Sequence, residues 1–186
     1  MLILALALTL VQEGIDPYYK FPEGTVWTYG LTDPQNKLRD AKTTMTVTSS
    51  EVGKVTTEVI VQRKKPETKL YVWFVDKGIL YWGEKQGDDV SSQSVAIYKQ
   101  GSKKGDTWAP PFNLEHKATH LGTEEVQVPA GVYKHAIHVR VVLRDGASMI
   151  QYDAYLVEKV GLVKLTQKMD GNQATMELVQ MKLATK

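Results

Sequence analysis

Apolar and polar residues alternate along most of this chain with the period of two that is typical of β-strands. Between positions 54 and 63, for example, Val55, Val59 and Val61 share one face and polar side chains occupy the other. Apolar residues at helical spacing are hard to find. The pattern predicts an all-β chain with these strands: 25–32, 43–50, 54–63, 69–75, 79–84, 91–99, 115–121, 124–128, 133–144, 148–158, 162–168 and 174–184.

Turn residues separate these segments. Asp145-Gly146 and Asp170-Gly171 supply the positive φ that a tight hairpin requires, and Val52-Gly53 and Lys77-Gly78 suit slightly longer turns. Val128-Pro129-Ala130-Gly131 predicts a corner, because proline cannot donate to a sheet ladder and glycine allows the left-handed conformation. Short turns of this kind predict an antiparallel meander.

Two groups of residues recur later in the chain, both separated from their first occurrence by the same number of positions. Gly24-Thr25-Val26-Trp27 returns as Gly105-Asp106-Thr107-Trp108, and Tyr71 returns as Tyr152, both after 81 positions. A shared offset at separate places predicts two copies of one β-rich unit.

The two copies span about 17–99 and 100–186 and together form a single all-β domain over 15–186. The alternation stops at 100–113, which is therefore the predicted joint between them. A joint this short favours one shared sheet system, and a sheet of about a dozen antiparallel strands curls into a barrel or a sandwich. We expect a curved, partly open barrel, with a sandwich as the alternative.

The N-terminus indicates export. Leu2 to Val11 is apolar except for Thr9, is shorter than the ~20 residues that a membrane-spanning helix needs, and ends at polar Gln12. We interpret residues 1–14 as a signal peptide, which implies a periplasmic or extracellular protein. No basic residue follows Met1 directly, so a buried N-terminal strand or helix is the alternative.

The composition of the chain excludes several classes of function. The chain has no cysteine, which excludes disulfides, thiol catalysis and a cysteine-linked lipid anchor on this sequence. The 23 basic and 21 acidic residues leave a net charge of +2, without the basic patch that nucleic-acid binding requires. A length of 186 residues is enough for a sizeable core in one domain.

The titratable residues do not form a catalytic or metal-binding pattern. Of the four histidines, His135 and His138 fall on opposite faces of a strand, whereas His116 and His120 share a face about 13 Å apart at the rise of a strand. His135 is expected on the apolar face with Ile137. Nucleophile elbows, phosphate loops and zinc-protease motifs are absent from the sequence. The sequence predicts no enzyme, no metal and no cofactor.

Four local motifs together resemble a family of exported bacterial proteins and lipoproteins of unknown function. They are Phe21-Pro22-Glu23-Gly24-Thr25-Val26-Trp27-Thr28-Tyr29, Lys104-Gly105-Asp106-Thr107-Trp108, Val128-Pro129-Ala130-Gly131-Val132-Tyr133 and Val160-Gly161-Leu162-Val163-Lys164. The resemblance covers most of the chain after residue 16. It implies a fold similar to the curved half-barrels of periplasmic lipoprotein carriers, which hold acyl chains on an apolar concave face. This chain departs from many relatives in lacking an N-terminal cysteine.

The aromatic residues indicate a candidate site. The strand at 69–75 is apolar on both faces. Either both faces pack in the core, or one of them lines a concavity that binds an apolar ligand. The first hypothesis is an apolar ligand, a lipid or acyl chain, held near Tyr71, Trp73, Tyr152 and Ala154. The second is a structural or protein-interaction module of the cell envelope without a small-molecule ligand, and a hydrolase comes third. The sequence does not indicate an oligomeric state.

Overall fold

The protein is all-β, as predicted. The structure is a computed structural model that describes residues 15–33, 41–62, 66–87, 89–90, 94–109, 116–145 and 148–184; the predicted signal peptide, 1–14, lies outside them. No helix in these ranges is long and apolar enough to cross a membrane. After a 3₁₀ turn at Asp16–Tyr18, the strands are β1 Val26–Thr32, β2 Ala41–Glu51, β3 Lys54–Gln62, β4 Glu67–Asp76, β5 Ile79–Gln86, β6 Asp89–Val90, β7 Val95–Lys99, β8 Thr107–Trp108, β9 Lys117–Val128, β10 Gly131–Asp145, β11 Ser148–Val157, β12 Gly161–Met169 and β13 Asn172–Lys182.

The strands form one antiparallel sheet in two runs that meet where the first and last strands pair. Strands β1 to β5 are neighbours in chain order, and β13 back to β9 are neighbours in reverse order. Between the runs, Val26 of β1 lies opposite Lys182 of β13, and Thr32 lies opposite Thr175. The sheet is therefore continuous from one half of the chain to the other.

The sheet curls into a barrel that is closed except at one seam. At one edge β7 pairs with β5, and at the other the two-residue strand β8 pairs with β9. Strand β7 packs against β9 and β10, but within the described ranges no hydrogen-bonded register joins them. The expected curved, partly open barrel is confirmed.

The predicted turns at Val52-Gly53, Lys77-Gly78 and Asp170-Gly171 lie where the strands reverse, and Gly146 of the turn predicted at Asp145-Gly146 lies outside the described residues. Lys77 and Gly78 have φ angles of 48° and 73°, and Asp170 and Gly171 have φ angles of 49° and 79°. Both pairs make two-residue turns with positive φ at each position, the conformation that matches the twist of the flanking strands. The corner between β9 and β10 is equally tight, and Gly131 there has a φ of 143°. The two predicted strands 115–121 and 124–128 are one long strand, β9.

Residues 15–21 cover one end of the barrel, which we call the plugged end. Ile15, Tyr19 and Phe21 are buried there. The edge of Phe21 meets the face of Trp27, with ring centroids 4.8 Å apart at 82°. The Trp27 Nε1 donates a hydrogen bond of 2.8 Å to the Val160 carbonyl. The indole thus joins the start of β1 to the turn before β12, and the buried polar atom is satisfied.

The hairpin of β9 and β10 continues beyond its neighbour β11, and we call the projecting part, residues 123–136, the arm. Pairing between β10 and β11 begins only at Ile137. The arm then reaches β13, where the Ala130 amide donates to the Leu178 carbonyl at 2.9 Å. Val126 and Val128 are buried in the arm. This long hairpin therefore adds a contact outside the order of the sheet.

A β-bulge in the arm corrects the predicted position of His135. The register of β10 shifts between Tyr133 and Ala136, where β10 has one residue more than β9. An extra residue reverses the faces of the strand on one side of the bulge. His135 is consequently exposed and does not share the apolar face with Ile137, which is buried.

The two tryptophan motifs make the same backbone hydrogen bonds. The Gly24 amide donates to the Val47 carbonyl and the Val47 amide to Thr25, at 2.8 and 2.9 Å. Likewise, the Gly105 amide donates to His120 and the His120 amide to Asp106, also at 2.8 and 2.9 Å. Strands β4 and β11 begin and end 81 positions apart. The internal duplication stays a prediction, which these shared bonds favour.

Candidate functional site

The four residues of the predicted site lie on two strands, and their side chains face the barrel interior. On β4, Tyr71 is opposite Thr57, and Trp73 is opposite Val55. On β11, Tyr152 is opposite Val141, and Ala154 is opposite Val139. Trp73 and Ala154 are buried, whereas Tyr71 and Tyr152 are partly accessible.

Trp82 of β5 completes an aromatic group with the β4 residues. Its ring stacks on Tyr71 with centroids 4.7 Å apart at 17°, and it lies 6.0 Å from Trp73. The sequence signal for this residue is the Lys77-Gly78 turn, because a two-residue loop sets the register that places Trp73 opposite Trp82. Alternation within β4 alone does not reveal it.

Charged side chains flank these rings at the end of the barrel where β4 begins, which we call the far end. The Lys69 ammonium lies 3.2 Å from a carboxylate oxygen of Glu84 and 3.6 Å from one of Glu67. The hydrogen bond to Glu84 and the attraction of the same carboxylate raise the pKa of Lys69. About a third of the Lys69 and Glu84 side chains is exposed, at 37% and 34%. Water therefore screens this ion pair, and its stabilising effect is small.

Tyr71 of β4 and Tyr152 of β11 both face the barrel interior, one from each half of the chain. Burial, and next the Coulomb interaction with Tyr71, raise the pKa of Tyr152. Burial, and next the Glu84 carboxylate, raise the pKa of Tyr71. The two halves of the chain thus contribute to one group, which we call the far-end cluster. It comprises Glu67, Lys69, Tyr71, Trp82, Glu84 and Tyr152.

Comparisons with known proteins bear on the fold. No protein-family model and no curated protein matches the chain. A crystal structure of a Bacteroides fragilis protein, thought to be exported and to have a YmcC-like fold, superposes with a TM-score of 0.56 at 13% identity over 89% of this chain and 98% of that one. This chain has a YmcC-like fold. A Parabacteroides distasonis protein, thought to be a lipoprotein, superposes with a TM-score of 0.51 at 13% identity and the same coverage.

The interior of this YmcC-like barrel is well filled near the plugged end. A cavity of about 10 Å³ lies between Tyr18, Phe21, Trp27 and Trp73, which is near the lower limit for holding one water molecule. At the far end, an open depression of about 190 Å³ is lined by Asp33, Gln167, Met169, Asn172, Gln173 and Ala174. The far end is therefore more open than the interior under the plug, and the residues that line this depression are separate from the far-end cluster.

A second polar group lies on the outer face of β10 and β11. One ring nitrogen of His138 is 2.6 Å from Glu124, and the other is 3.1 Å from Asp153. Asp153 also accepts hydrogen bonds from Arg140 at 2.7 Å and Gln151 at 2.8 Å. Glu124 belongs to the arm, so this group connects the arm to the wall of the barrel.

Neither of these described polar groups has the arrangement of a metal centre. In the described ranges, no group of three or more His, Asp or Glu side chains is arranged to hold a metal ion. The far-end cluster combines accessible aromatic surface with one cation and two anions, which suits binding by apolar contact, stacking and charge. That the chain is not an enzyme stays a prediction.

Proposed function

We propose that the protein is an exported, non-enzymatic binding protein that holds an apolar ligand, a lipid or an acyl chain, at the far-end cluster. One observation carries the proposal: partly accessible Tyr71, Trp82 and Tyr152 face inward from both halves of the barrel. Large aromatic side chains left accessible in a concave place are typical of ligand sites.

Two independent observations support export. The apolar run at 2–11 followed by polar residues is typical of a signal peptide. In addition, the structures with a similar fold belong to a protein thought to be exported and to one thought to be a lipoprotein.

The filled interior restricts how a ligand is held. With a cavity of only about 10 Å³ near the plug, an acyl chain cannot pass through the barrel in this conformation. We therefore propose that the ligand lies against Tyr71, Trp82 and Tyr152 at the far end, while Trp73 and Ala154 support these residues from the core. Deeper insertion requires the aromatic rings to move.

The same cavity volume favours a second candidate function. A barrel packed at native density is what a structural or protein-interaction module of the cell envelope needs. In that case the aromatic residues serve the core alone, and a sheet face or edge meets a protein partner.

Binding by the far-end cluster can be tested with a pair of tyrosine variants from one strand. Tyr152→Ala removes an inward ring, and Tyr155→Ala removes an outward ring that stacks on His138. We expect Tyr152→Ala to weaken binding of dodecyl maltoside about tenfold, as loss of one ring contact predicts, and Tyr155→Ala to leave it unchanged. Tryptophan fluorescence during titration below the micelle concentration measures the affinity.

Lipid extraction and mass spectrometry of the purified protein provide a second measurement. Reproducible co-purified lipid, together with weaker binding by Tyr152→Ala, supports a carrier. Lipid-free protein that also fails to bind dodecyl maltoside contradicts it and favours the interaction module.

A further inference from the structure

We infer that the open depression at the far end binds a neutral, hydroxyl-rich head group, such as the sugar of a glycolipid, while the apolar chain of the same ligand lies on the far-end cluster. The inference rests on the proposed function and specifies the class of ligand. It follows from the side-chain amides that line the depression and from its position next to Tyr152.

The accessible polar side chains of the depression are uncharged. Its lining consists of three amides, one carboxylate and two apolar side chains: Gln167, Asn172, Gln173, Asp33, Met169 and Ala174. Asn172 and Gln173 are exposed and Gln167 is partly exposed, whereas Asp33 is only 8% exposed. A ligand that enters the depression therefore meets amide groups.

These amides match hydroxyl groups better than they match an ion. Within the part of the chain that the structure describes, none of the three amide groups is hydrogen-bonded. Each amide offers two N–H donors and one carbonyl acceptor. A cation uses only the acceptors and an anion only the donors, whereas a sugar hydroxyl both donates and accepts. A neutral, hydroxyl-rich group therefore satisfies the largest share of this lining.

The depression adjoins the far-end cluster without sharing a residue with it. Tyr152 of β11 lies opposite Gln167 of β12, and Gln167 lies opposite Ala174 of β13. Directly opposite residues present their side chains on one face of a sheet, with Cβ atoms about 4.5–5.5 Å apart. A ligand whose apolar chain lies on Tyr152 therefore has its polar end beside Gln167.

The depression has the size of a head group. Its volume is about 190 Å³, below the ~300–1,000 Å³ of pockets that enclose a whole drug-sized ligand. Because it is open, a longer saccharide can extend from it into water. The Met169 side chain, 39% exposed, offers an apolar contact for the carbon-bound hydrogens of a sugar ring.

The test compares two neutral amphiphiles with the same twelve-carbon chain. Dodecyl maltoside and dodecyl octaethylene glycol ether are titrated below their micelle concentrations, and tryptophan fluorescence gives each dissociation constant. The ether head group accepts hydrogen bonds but has one terminal hydroxyl to donate. We expect the maltoside to bind at least tenfold more tightly, the effect of about two net hydrogen bonds.

Variants that remove one amide assign the preference to the depression. Gln167→Met and Asn172→Ala should each weaken binding of dodecyl maltoside severalfold and leave binding of the ether unchanged. Gln180→Met is the matched control, because Gln180 is an exposed amide on β13 that lies opposite Thr28, away from the depression. Far-ultraviolet circular dichroism verifies that each variant is folded, and two variants guard against the loss of one.

The outcomes separate this inference from the proposed function. Equal affinity for the two amphiphiles, or tighter binding of the ether, overturns the inference and leaves the binding protein intact. A preference for the maltoside that survives both substitutions also overturns it. If neither amphiphile binds, the proposed function fails, and the inference fails with it.

Discussion

Asp153 is a buried carboxylate on the face of β11 that points away from the barrel interior. Only 8% of its side chain is exposed, and Arg140, His138 and Gln151 all hydrogen-bond to it. Burial alone acts to raise the pKa of Asp153, but the hydrogen bonds from these three side chains outweigh it and lower the pKa below its ordinary value. The charged form is therefore the one that the folded protein stabilises.

The lowered pKa predicts an acid-dependent contribution to stability. Because the folded pKa lies below the unfolded value, the contribution is present at neutral pH and is lost as the pH falls through the folded pKa. At pH 7, Asp153→Asn should lower the free energy of unfolding by about 1–3 kcal/mol, since its donors lose a charged acceptor. Urea unfolding at pH 7 and pH 2.5 measures the difference between variant and wild type.

That difference should be smaller at pH 2.5 than at pH 7, because protonation of wild-type Asp153 increases as the pH falls towards its lowered pKa. Glu125→Gln is the control, because Glu125 is an exposed carboxylate on β9. A difference that stays equal at both pH values would contradict the role assigned to the Asp153 charge.

Alternation predicts the direction of single side chains well where strands are regular. Tyr71, Trp73, Tyr152 and Ala154 face inward as their spacing indicates, although nothing yet tests them as ligand contacts. His135 shows the limit: one additional residue in β10 reverses the pattern, and no residue type near Lys134 marks the bulge.

At the scale of elements, Gly161 at the start of β12 lies directly against the N-terminal plug, residues 15–21. Gly161 has a φ of +85°, and a Cβ atom there would lie 3.3 Å from the Phe21 ring and 3.4 Å from the Tyr18 carbonyl oxygen. Gly171 has a similar φ of +79°, but a Cβ atom there would meet nothing within 4 Å. The two glycines share backbone strain and differ in what surrounds them.

This difference separates backbone strain from plug packing. Gly171→Ala should cost roughly 1–2 kcal/mol, the cost of a left-handed conformation for a residue with a Cβ atom. Gly161→Ala should cost about 1–3 kcal/mol more, because the added methyl group also pushes against Phe21 and Tyr18. Urea unfolding followed by tryptophan fluorescence gives both values. Equal losses of unfolding free energy would show that Phe21 and Tyr18 move aside without destabilising the fold.

Element boundaries are largely predictable here because the turns have specific chemistry. Lys77-Gly78 and Asp170-Gly171 lie at the hairpins that their residue types indicate. The arm is different, since Ala130, just before β10, bonds to Leu178 on β13, three strands away along the sheet. Local patterns cannot predict a contact that depends on how the whole sheet bends.

The barrel as a whole depends on contacts between the two halves of the chain. The Tyr29 hydroxyl donates to the Leu162 carbonyl at 2.9 Å, and Trp27 donates to Val160; each bond joins residues 133 positions apart. Burial, and next the nearby Tyr133, raise the pKa of Tyr29, so this hydroxyl stays protonated and able to donate. These bonds reinforce the pairing of β1 with β13.

Removing the Tyr29 hydroxyl should therefore weaken the whole fold. Tyr29→Phe leaves the Leu162 carbonyl without this donor in the core, and we expect a loss of about 1–3 kcal/mol in the free energy of unfolding. Tyr155→Phe, on the outer face, should change it by less than about 0.5 kcal/mol. Urea unfolding at pH 7 measures both variants. If Tyr29→Phe loses as little unfolding free energy as the control, this hydrogen bond does not stabilise the fold.

The pairing of the first and last strands also determines the orientation of the molecule when it is tethered to a surface. The Ala184 amide lies 3.4 Å from the Thr25 hydroxyl, so both ends of the described chain emerge beside the plug. An attachment at either end of the described chain, to a lipid bilayer or to a sensor surface, therefore turns the plugged end toward that surface. The end of the barrel where β4 begins, with Glu67 and Lys69, then lies away from the attachment.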